Sequence, residues 1–472
     1  MSRISLFGIG QLSKSAYVTA KQIINAYCEK RPDGEKSSLV CYQTPGEILF
    51  ASMGDTPLRG AIEFEPGNVA YFVHRGTLWE INNAGVTVSR GTLLSTAGRV
   101  SLSHNGVQVM IVDGASGYIY NTSTLAFAQI TDPDFPANPT TVTYLSRRFI
   151  VSLLNSSRFY CSDIDNGLSW DALNFANAET NPDPIIAVWA SNGQLILMGA
   201  ITCEYWGNSG ALDFPFSLIP GTATEWGLAA RWSIAKYDNT LAYLVKNRMG
   251  QVMLAKLSGY LPERVSTPDF DAIINAYPDT ANASAYSYML GGHPMYVINF
   301  PSAGTGATWL YDGSTGFFAQ LKSSGSTRHN AEFSFTLLGR TLVADSTTGN
   351  IYTLTAAALT DNGASIVREL VSETIADADQ NWIPINVVRL DIEAGVGLAV
   401  GQGSNPQIGM QVSRDNGKTW GPQMWKTMGA VGEYRTRCEW RRLGTARFAT
   451  FRFAISDPVP FTIVDACVNP VT

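Results

Sequence analysis

One octapeptide of the sequence has the residue types and spacing of a motif found in sialidase-type propellers. SRDNGKTW, at positions 413–420, matches the pattern S-x-D-x-G-x-T-W, which is called the Asp box. Asp415 can cap its own turn, Gly417 supplies a permissive backbone, and Trp420 can pack under the hairpin. The spacing therefore predicts a structural turn formed by Ser413, Asp415, Gly417 and Trp420.

The chemistry that this motif raises is glycoside hydrolysis, so a carbohydrate-binding or glycoside-hydrolysing propeller protein is the alternative hypothesis. In such enzymes the box lies away from the active site, and no set of carboxylates, tyrosine and arginines accompanies it here. The stretch Gly417-Lys418-Thr419 imitates the end of a phosphate-binding loop. The first glycine of that loop would stand at Val412, and no helix follows, so the anion-binding geometry is missing.

The histidines and serines give no further sign of catalysis. The sequence has no G-x-S-x-G elbow, and its histidines share no metal-ligand spacing. These four histidines are His74, His104, His293 and His329. We predict that the protein is not an enzyme and has no catalytic residues, no cofactor and no metal site.

Positive charge is concentrated in one C-terminal hairpin, where six arginines lie between positions 435 and 452. Two nearby tryptophans favour an interface, because Trp and Arg are enriched where proteins meet. The alternative is the solvated face of two strands. The candidate interface residues are Arg435, Arg437, Trp440, Arg441, Arg442 and Trp425.

Composition limits the partners of the chain. Charged residues make up 15 % of its 472 residues, and the formal net charge is −6. A protein that grips DNA phosphates needs clustered Lys and Arg, so a nucleic-acid clamp is excluded, although a wall past which DNA slides is not. A surface rich in uncharged polar residues suits a large assembly.

Six scattered cysteines without a C-x-x-C pair predict free thiols in a reducing compartment. They are Cys28, Cys41, Cys161, Cys203, Cys438 and Cys467. We read no signal peptide at the N-terminus, and no apolar run approaches the roughly 18 residues that span a bilayer. The sequence therefore predicts a soluble protein made in the cytosol, without stable membrane insertion.

The elements that position these residues follow an internal repeat: an apolar strand, a Gly/Asn/Ser turn, and a second strand that ends in aromatic or aliphatic residues. Its seven units lie at 68–82, 106–121, 147–163, 193–207, 239–257, 293–313 and 339–354. Antiparallel repeats of this size indicate propeller blades, which bury both faces of each sheet by radial stacking. Six or eight blades, or a long β-sandwich, are the alternatives.

We thus predict an all-β protein, with a β-propeller of about seven blades and a small antiparallel β-sandwich at the C-terminus. The N-terminal arm can complete the sandwich. The predicted divisions are an arm at 1–60 that packs on other domains or subunits, a propeller at 61–358, a linker at 359–379 and a sandwich (platform) domain at 380–472.

Several long stretches resemble a known family, the packaged-DNA stabilisation proteins of short-tailed bacteriophages (podovirus type). These proteins are also called tail hub or nozzle proteins. The likeness covers nearly the whole chain in order, although many loops depart from the family. The stretches are NAYCEKRPDG (25–34), QTPGEILFASMGDTPLRG (43–60), GTLWEI (76–81), GRVSLSH (98–104), SDIDNGLSW to SLIPG (162–221), VSRDNGKTWGPQMW (412–425) and GEYRTRCEW to VDACV (432–468).

The resemblance implies a structural protein of the virion tail, made in the cytoplasm of the host bacterium. It implies a homo-hexameric ring below the portal and its adaptor, which extends the DNA channel, retains packaged DNA after packaging and conducts it at ejection. The implied partners are the head-to-tail adaptor above, tailspikes or fibres at the side, and a tail needle or plug below. Genomic double-stranded DNA would pass through without sequence-specific binding.

Overall fold

The structure, a computed structural model, describes residues 4–6, 13, 20–32, 39–181, 183–211, 214–377 and 379–469. Antiparallel sheets that follow one another along the chain make up a propeller, and we number its blades one to seven. Blade one contains Leu58–Phe64, Val69–His74, Thr77–Asn82 and Thr87–Thr92. Blade two contains Ser101–His104, Gln108–Val112, Gly117–Asn121 and Ala126–Gln129. Blade three contains Pro139–Leu145, Arg148–Leu153, Arg158–Asp163 and Asn166–Asn177.

The remaining four blades repeat this order of strands. Blade four contains Ile185–Ser191, Gln194–Gly199, Cys203–Asn208 and Phe216–Leu218. Blade five contains Gly227–Leu228, Ala235–Tyr237, Thr240–Lys246, Val252–Ser258 and Leu261–Arg264. Blade six contains Ser284–Leu290, His293–Phe300, Ala307–Asp312 and Phe318–Gln320. Blade seven contains Ala331–Leu337, Arg340–Asp345, Asn350–Thr355 and Gly46–Ser52.

The predicted propeller is confirmed, and each of the seven predicted units covers the two middle strands of one blade. Hydrophobic clusters fill the spaces between neighbouring blades. The cluster around Val109 and Tyr71, for example, joins blades one and two, and the cluster around Met110 and Phe149 joins blades two and three. Each sheet therefore buries both of its faces against neighbours, which is the physical reason for the radial arrangement.

An N-terminal strand closes the propeller. Gly46–Ser52 pairs antiparallel with Asn350–Thr355 as the fourth strand of blade seven. The chain then runs directly into the first strand of blade one, Leu58–Phe64. Blade seven thus joins the two ends of the propeller by backbone hydrogen bonds.

Two further sheets form the sandwich, and N-terminal strands complete both of them, as predicted. One sheet contains Ala26–Lys30, Leu39–Gln43, Thr462–Val468, Val387–Ile392, Cys438–Arg441 and Ile4–Ser5. The other contains Gln22–Ile24, Arg368–Val371, Phe448–Ile455, Gln407–Ser413, Met424–Thr427 and Ile375–Ala376. A core that includes Val388, Phe451 and Phe453 lies between them.

Propeller and sandwich share one continuous sheet. Gln22–Ile24 pairs with Phe318–Gln320 of blade six on one side and with Arg368–Val371 of the sandwich on the other. The shorter elements are Glu65–Gly67 (a 3-10 turn), the helix Pro268–Asn275, and the strand pairs Thr360–Asp361 with Ala364–Ser365 and Ile383–Pro384 with Thr445–Ala446. No helix of the described residues is long and apolar enough to cross a membrane.

The prediction of free thiols was wrong for two of the six cysteines. Cys28 and Cys41 form a disulfide, because they stand opposite each other in adjacent antiparallel strands. Their separation of 13 residues hides this pairing in the sequence. Cys161, Cys203, Cys438 and Cys467 are free and buried.

Candidate functional site

The predicted interface arginines lie in the strand Cys438–Arg441 of the sandwich and on either side of it. Arg435, Arg437 and Arg442 are exposed and make no ion pair or side-chain hydrogen bond with any described residue. Trp425 lies in the strand Met424–Thr427, which contacts Cys438–Arg441, and half of its surface is exposed. Uncompensated guanidinium groups and an exposed indole in contacting segments of the sandwich suit a protein contact.

Trp440 was predicted as an interface residue, and this part of the prediction was wrong because the side chain is buried. It is 2 % exposed, its ring packs 5.8 Å from that of Phe453, and its Nε1 donates a 2.8 Å hydrogen bond to the Met424 carbonyl oxygen. The residue alternates inward along its strand, so it belongs to the sandwich core and does not lie on the surface.

Arg441 is paired within its own sheet. Its Nη2 donates to Oε2 of Glu439 at 2.8 Å, and Nε of Arg389 donates to Oε1 of the same carboxylate at 2.6 Å. The hydrogen bond from Arg441 is the main cause that lowers the pKa of Glu439. The three unpaired arginines therefore carry most of the free positive charge of this surface.

Sequence reasoning missed an apolar group beside these arginines. Val400, Val431 and Tyr434 are exposed on two loops, and the loops are joined by a hydrogen bond from the Gly432 amide to the Gly395 carbonyl. Their signal in the sequence is weak, because Val400 and Val431 lie in glycine-rich loops without a strand or helix period. We call Val400, Val431, Tyr434, Arg435 and Arg437 the sandwich tip.

The Asp box forms a closed hydrogen-bonded turn after the strand Gln407–Ser413. The Ser413 hydroxyl donates to Oδ1 of Asp415 at 2.7 Å and accepts from the Gly417 amide at 2.8 Å. Asp415 also accepts from the amide and the hydroxyl of Thr419, and the hydroxyl is the main cause that lowers the pKa of Asp415 to about 2. Its polar groups are thus used by the turn itself.

Trp420 is covered by a guanidinium group. The Arg452 Cζ lies 4.1 Å from the centre of the indole ring, and Nη1 of Arg452 donates to the Gln411 side chain at 3.3 Å. Arg452 is therefore part of the support of this turn and is not available to the arginine surface.

A group of ionisable side chains is buried where blade seven meets the segment that leads to the sandwich. Glu47 and Asp361 are register partners on parallel strands, and Nδ2 of Asn330 donates to Oε2 of Glu47 at 2.8 Å. Burial raises the pKa of Glu47 to about 8 and that of Asp361 to about 7. The charge of Arg368, which is fully buried, acts against the rise in the pKa of Asp361, and burial lowers the pKa of Arg368 itself to about 10.

The propeller has a cavity of about 790 Å³ along its axis. The first strands of all the blades except blade five contribute to its wall, together with the segment 231–241. Its side chains include tryptophan, tyrosine, hydroxyl and charged groups. Among the described residues, no three His, Cys, Asp or Glu side chains are grouped so that they could hold a metal ion.

A propeller joined through a shared sheet to a β-sandwich is thus the class of protein that the fold defines. Comparison with known families gives the same division. The family described as Bacteriophage P22 Gp10, beta-propeller, matches residues 3–358, and that described as Bacteriophage P22 Gp10, beta-sandwich, matches residues 368–470. The chain belongs to the P22 Gp10 family, and it is a phage tail structural protein.

Solved structures add only distant likenesses. A chain of the crystal structure of the mitotic checkpoint complex is 13 % identical with a TM-score of 0.41, and 69 % of this chain and 95 % of that chain are covered. YCF48 bound to D1 peptide is 14 % identical, with a TM-score of 0.43 and coverage of 67 % and 96 %. The extracellular domain of the putative hybrid two component system BT4673 from B. thetaiotaomicron is 11 % identical, with a TM-score of 0.44 and coverage of 78 % and 46 %. Likenesses of this size carry no argument about function. A search of curated proteins found no match.

Proposed function

We propose that this chain is a tail hub (nozzle) subunit that assembles into a ring below the portal and adaptor of a short-tailed phage. The observation that carries the proposal is the match of both domains, in order, to the P22 Gp10 family. The ring extends the DNA channel, retains packaged DNA and conducts it at ejection. Six copies, the number that the family resemblance implies, form the ring.

The axial cavity of the propeller is too small for duplex DNA, which supports a DNA path outside the single subunit. The volume of the cavity is only about 790 Å³, and Arg99 reaches across it to the rings of Trp232 and Phe333. The major groove of B-DNA alone is about 12 Å wide, so a duplex does not pass through a single subunit. In the proposed assembly, the DNA path is therefore enclosed between the subunits of a ring.

The charge of the chain fits such a path. A net charge of −6 gives DNA no continuous basic track, and the basic groups of the sandwich tip are few and local. DNA can slide along a weakly acidic wall without being held by counterion release. The arginines of the tip then serve contacts with protein partners, for which the adaptor above and neighbouring subunits are the candidates. Spikes or fibres at the side and a needle or plug below complete the proposed assembly.

The test is the mass of the purified protein, alone and mixed with the cognate adaptor ring, by native mass spectrometry and electron microscopy. We expect six copies to join the adaptor ring around a central opening wide enough for duplex DNA. A stable monomer that does not bind the adaptor ring would contradict the proposal. The alternative function, glycan binding or hydrolysis, rests on the Asp box, and a glycan screen would then be the next experiment.

A further inference from the structure

Arg99 is an unusual side chain for the wall of a propeller cavity. It lies just before the first strand of blade two, and its guanidinium carbon is 4.8 Å from the ring centre of Trp232 and 4.6 Å from that of Phe333. Trp232 lies in blade five beside the first strand of blade six, and Phe333 belongs to blade seven, so Arg99 reaches across the axis. Because the first strands of the blades all begin here, Arg99 closes this end of the cavity.

The guanidinium of Arg99 has no hydrogen-bond acceptor. Arginine carries five N–H donors, yet among the described residues none of them is engaged. Its Nε and Nη1 are buried without a partner. The nearest carboxylate oxygen, Oε1 of Glu332, lies 3.6 Å from Nη1, which is too far for a hydrogen bond. A quarter of the side chain still faces the cavity.

Glu332 does not neutralise Arg99 by itself. Its Oε2 accepts from Nη2 of Arg328 at 2.5 Å, and its Oε1 accepts from the hydroxyl of Ser284 at 2.6 Å. One carboxylate is thus shared by two guanidinium groups, which leaves one positive charge in excess. Burial lowers the pKa of Arg99, but an arginine stays protonated at neutral pH.

The other charged side chains of the cavity wall, Arg231 and Lys236 against Glu63 and Glu65, balance one another. Arg231 donates its Nε to the Ile186 carbonyl at 2.9 Å and has no carboxylate partner in the described structure. Lys236 is the third basic group, against the carboxylates of Glu63 and Glu65. Of these, Glu63 already accepts from the Thr336 hydroxyl and the Leu338 amide. The excess positive charge of the cavity is therefore that of Arg99, and a charge in a partly enclosed site attracts an anion.

We infer that the axial cavity of the propeller binds a small molecule through an oxyanion group, a carboxylate or a phosphate, held by the guanidinium of Arg99. The cavity volume of about 790 Å³ lies within the range of about 300–1,000 Å³ typical of small-molecule sites. Of the nitrogens of Arg99, Nη2 is not buried, and its N–H groups can donate to an oxygen of such a group. Trp232 and Phe333 fix the guanidinium plane, and water is excluded from its inner nitrogens.

The probes are inorganic phosphate and succinate, titrated separately into the full chain in a chloride buffer of low ionic strength. Binding is followed by calorimetry and by the fluorescence of Trp232 and its neighbours. We expect saturable binding of at least one probe, and the stronger of the two identifies a phosphate or a carboxylate ligand. Arg99→Gln should weaken that binding at least tenfold. The matched control Arg435→Gln removes an exposed arginine far from the cavity and should leave the affinity unchanged.

Two results would overturn the inference: no saturable binding of either probe, or equal affinity of the wild type and Arg99→Gln. If Arg99→Gln does not fold, as judged by circular dichroism, Arg99→Lys decides, because it keeps the charge and removes the Nη2 donors. Binding of the Arg99→Lys variant at least threefold weaker than wild type supports the site. Unchanged binding in that variant contradicts the site, and Arg99 then only closes one end of the axial cavity. The test uses no adaptor, so its outcome is independent of ring formation.

Discussion

At the scale of single residues, the junction between blade seven and the sandwich contains charge that water does not reach. Glu47 is 1 % exposed, and Asp361, Asp345 and His329 are buried around it. Its Oε1 has no hydrogen-bond partner among the described residues. A buried carboxyl of this kind is most stable when it is protonated, so the fold carries a built-in dependence on pH.

The sign of that dependence follows from the direction of the shift. Burial, and then the charge of Asp361, raise the pKa of Glu47 from 4.5 to about 8 in the folded chain. Folding is therefore most favourable below pH 4.5 for this group, and stability is lost as the pH rises towards 8. Glu47→Gln should leave stability nearly unchanged at pH 5 and increase it at pH 9, by about 2 kcal/mol or more.

Chemical denaturation of both variants at pH 5, 7 and 9 measures this difference. The control is Glu225→Gln, at an exposed carboxylate that pairs with Arg248, and its effect on stability should be small at all three pH values. A Glu47→Gln variant that is less stable than the wild type at pH 9 would contradict the assignment.

The Asp box belongs to the same scale. The Ser413 hydroxyl is buried and makes two hydrogen bonds within the turn. Ser413→Ala leaves the Gly417 amide without its partner, so it should cost about 1–2 kcal/mol of unfolding free energy. Lys418→Ala, at an exposed position of the same turn, should have almost no effect in the same denaturation experiment. Equal effects of the two substitutions would show that the turn does not depend on this bond.

At the scale of elements, local patterns predicted the blades well and long-range pairs badly. The middle hairpins of all seven blades are continuous in sequence, so their apolar runs and Asn/Gly turns are visible. Gly46–Ser52 has the same apolar character, but it pairs with Asn350–Thr355. The two strands are about 300 residues apart, so no local sequence pattern predicts their pairing. The disulfide between Cys28 and Cys41 was missed for a related reason: it depends on strand register.

The candidate site shows the same limit. The hydrogen bonds of the Asp box are local, and the spacing of the octapeptide predicted which residues make its turn. The burial of Trp440 depends on which face of its strand meets the core. The environment of Arg99 combines residues from distant blades, and the stretch GRVSLSH around it showed only a family resemblance. Tertiary contacts of this kind are set by the fold and not by spacing.

Blade seven can be tested at one glycine. A Cβ atom on Gly46 would lie 2.6 Å from the Thr360 carbonyl oxygen and 2.8 Å from that of Ala358. Gly46→Ala should therefore loosen the closing strand, lower the unfolding free energy by about 1–3 kcal/mol and speed proteolysis near that strand. Gly207→Ala is the control, since its added Cβ would meet nothing closer than 3.6 Å. Equal stability of the two variants would contradict this account of the closure.

The N-terminal hairpin of the sandwich offers a chemical test. After denaturation without reductant, alkylation should modify four cysteines, and after reduction six. Loss of the disulfide in Cys28→Ser with Cys41→Ser should cost about 2–3 kcal/mol, the value for a closed loop of about 15 residues. Six alkylated cysteines without reductant, in protein kept oxidised, would show that the pair does not form.

At the scale of the whole molecule, the sandwich tip is the surface on which assembly can be tested. Arg435→Glu with Arg437→Glu reverses two unpaired charges without touching the core. We expect the double variant to fold normally and to bind the adaptor or neighbouring copies at least tenfold more weakly in native mass spectrometry. Arg340→Glu, at an exposed position of blade seven, is the control. Unchanged assembly of the double variant would move the interface away from the tip.

The closing strand of blade seven also determines when, during synthesis, the propeller can exist. Ser52 and Asn350 are hydrogen-bonded across 298 residues of chain. At about 5–20 residues per second, the ribosome needs roughly 15–60 s to make that stretch. During this time the strand Gly46–Ser52, with Ile48 and Leu49 exposed even in the finished fold, has no partner. The strand is therefore without its partner while 298 of the 472 residues, more than half of the chain, are made, and an unpaired apolar strand is an aggregation hazard during that time.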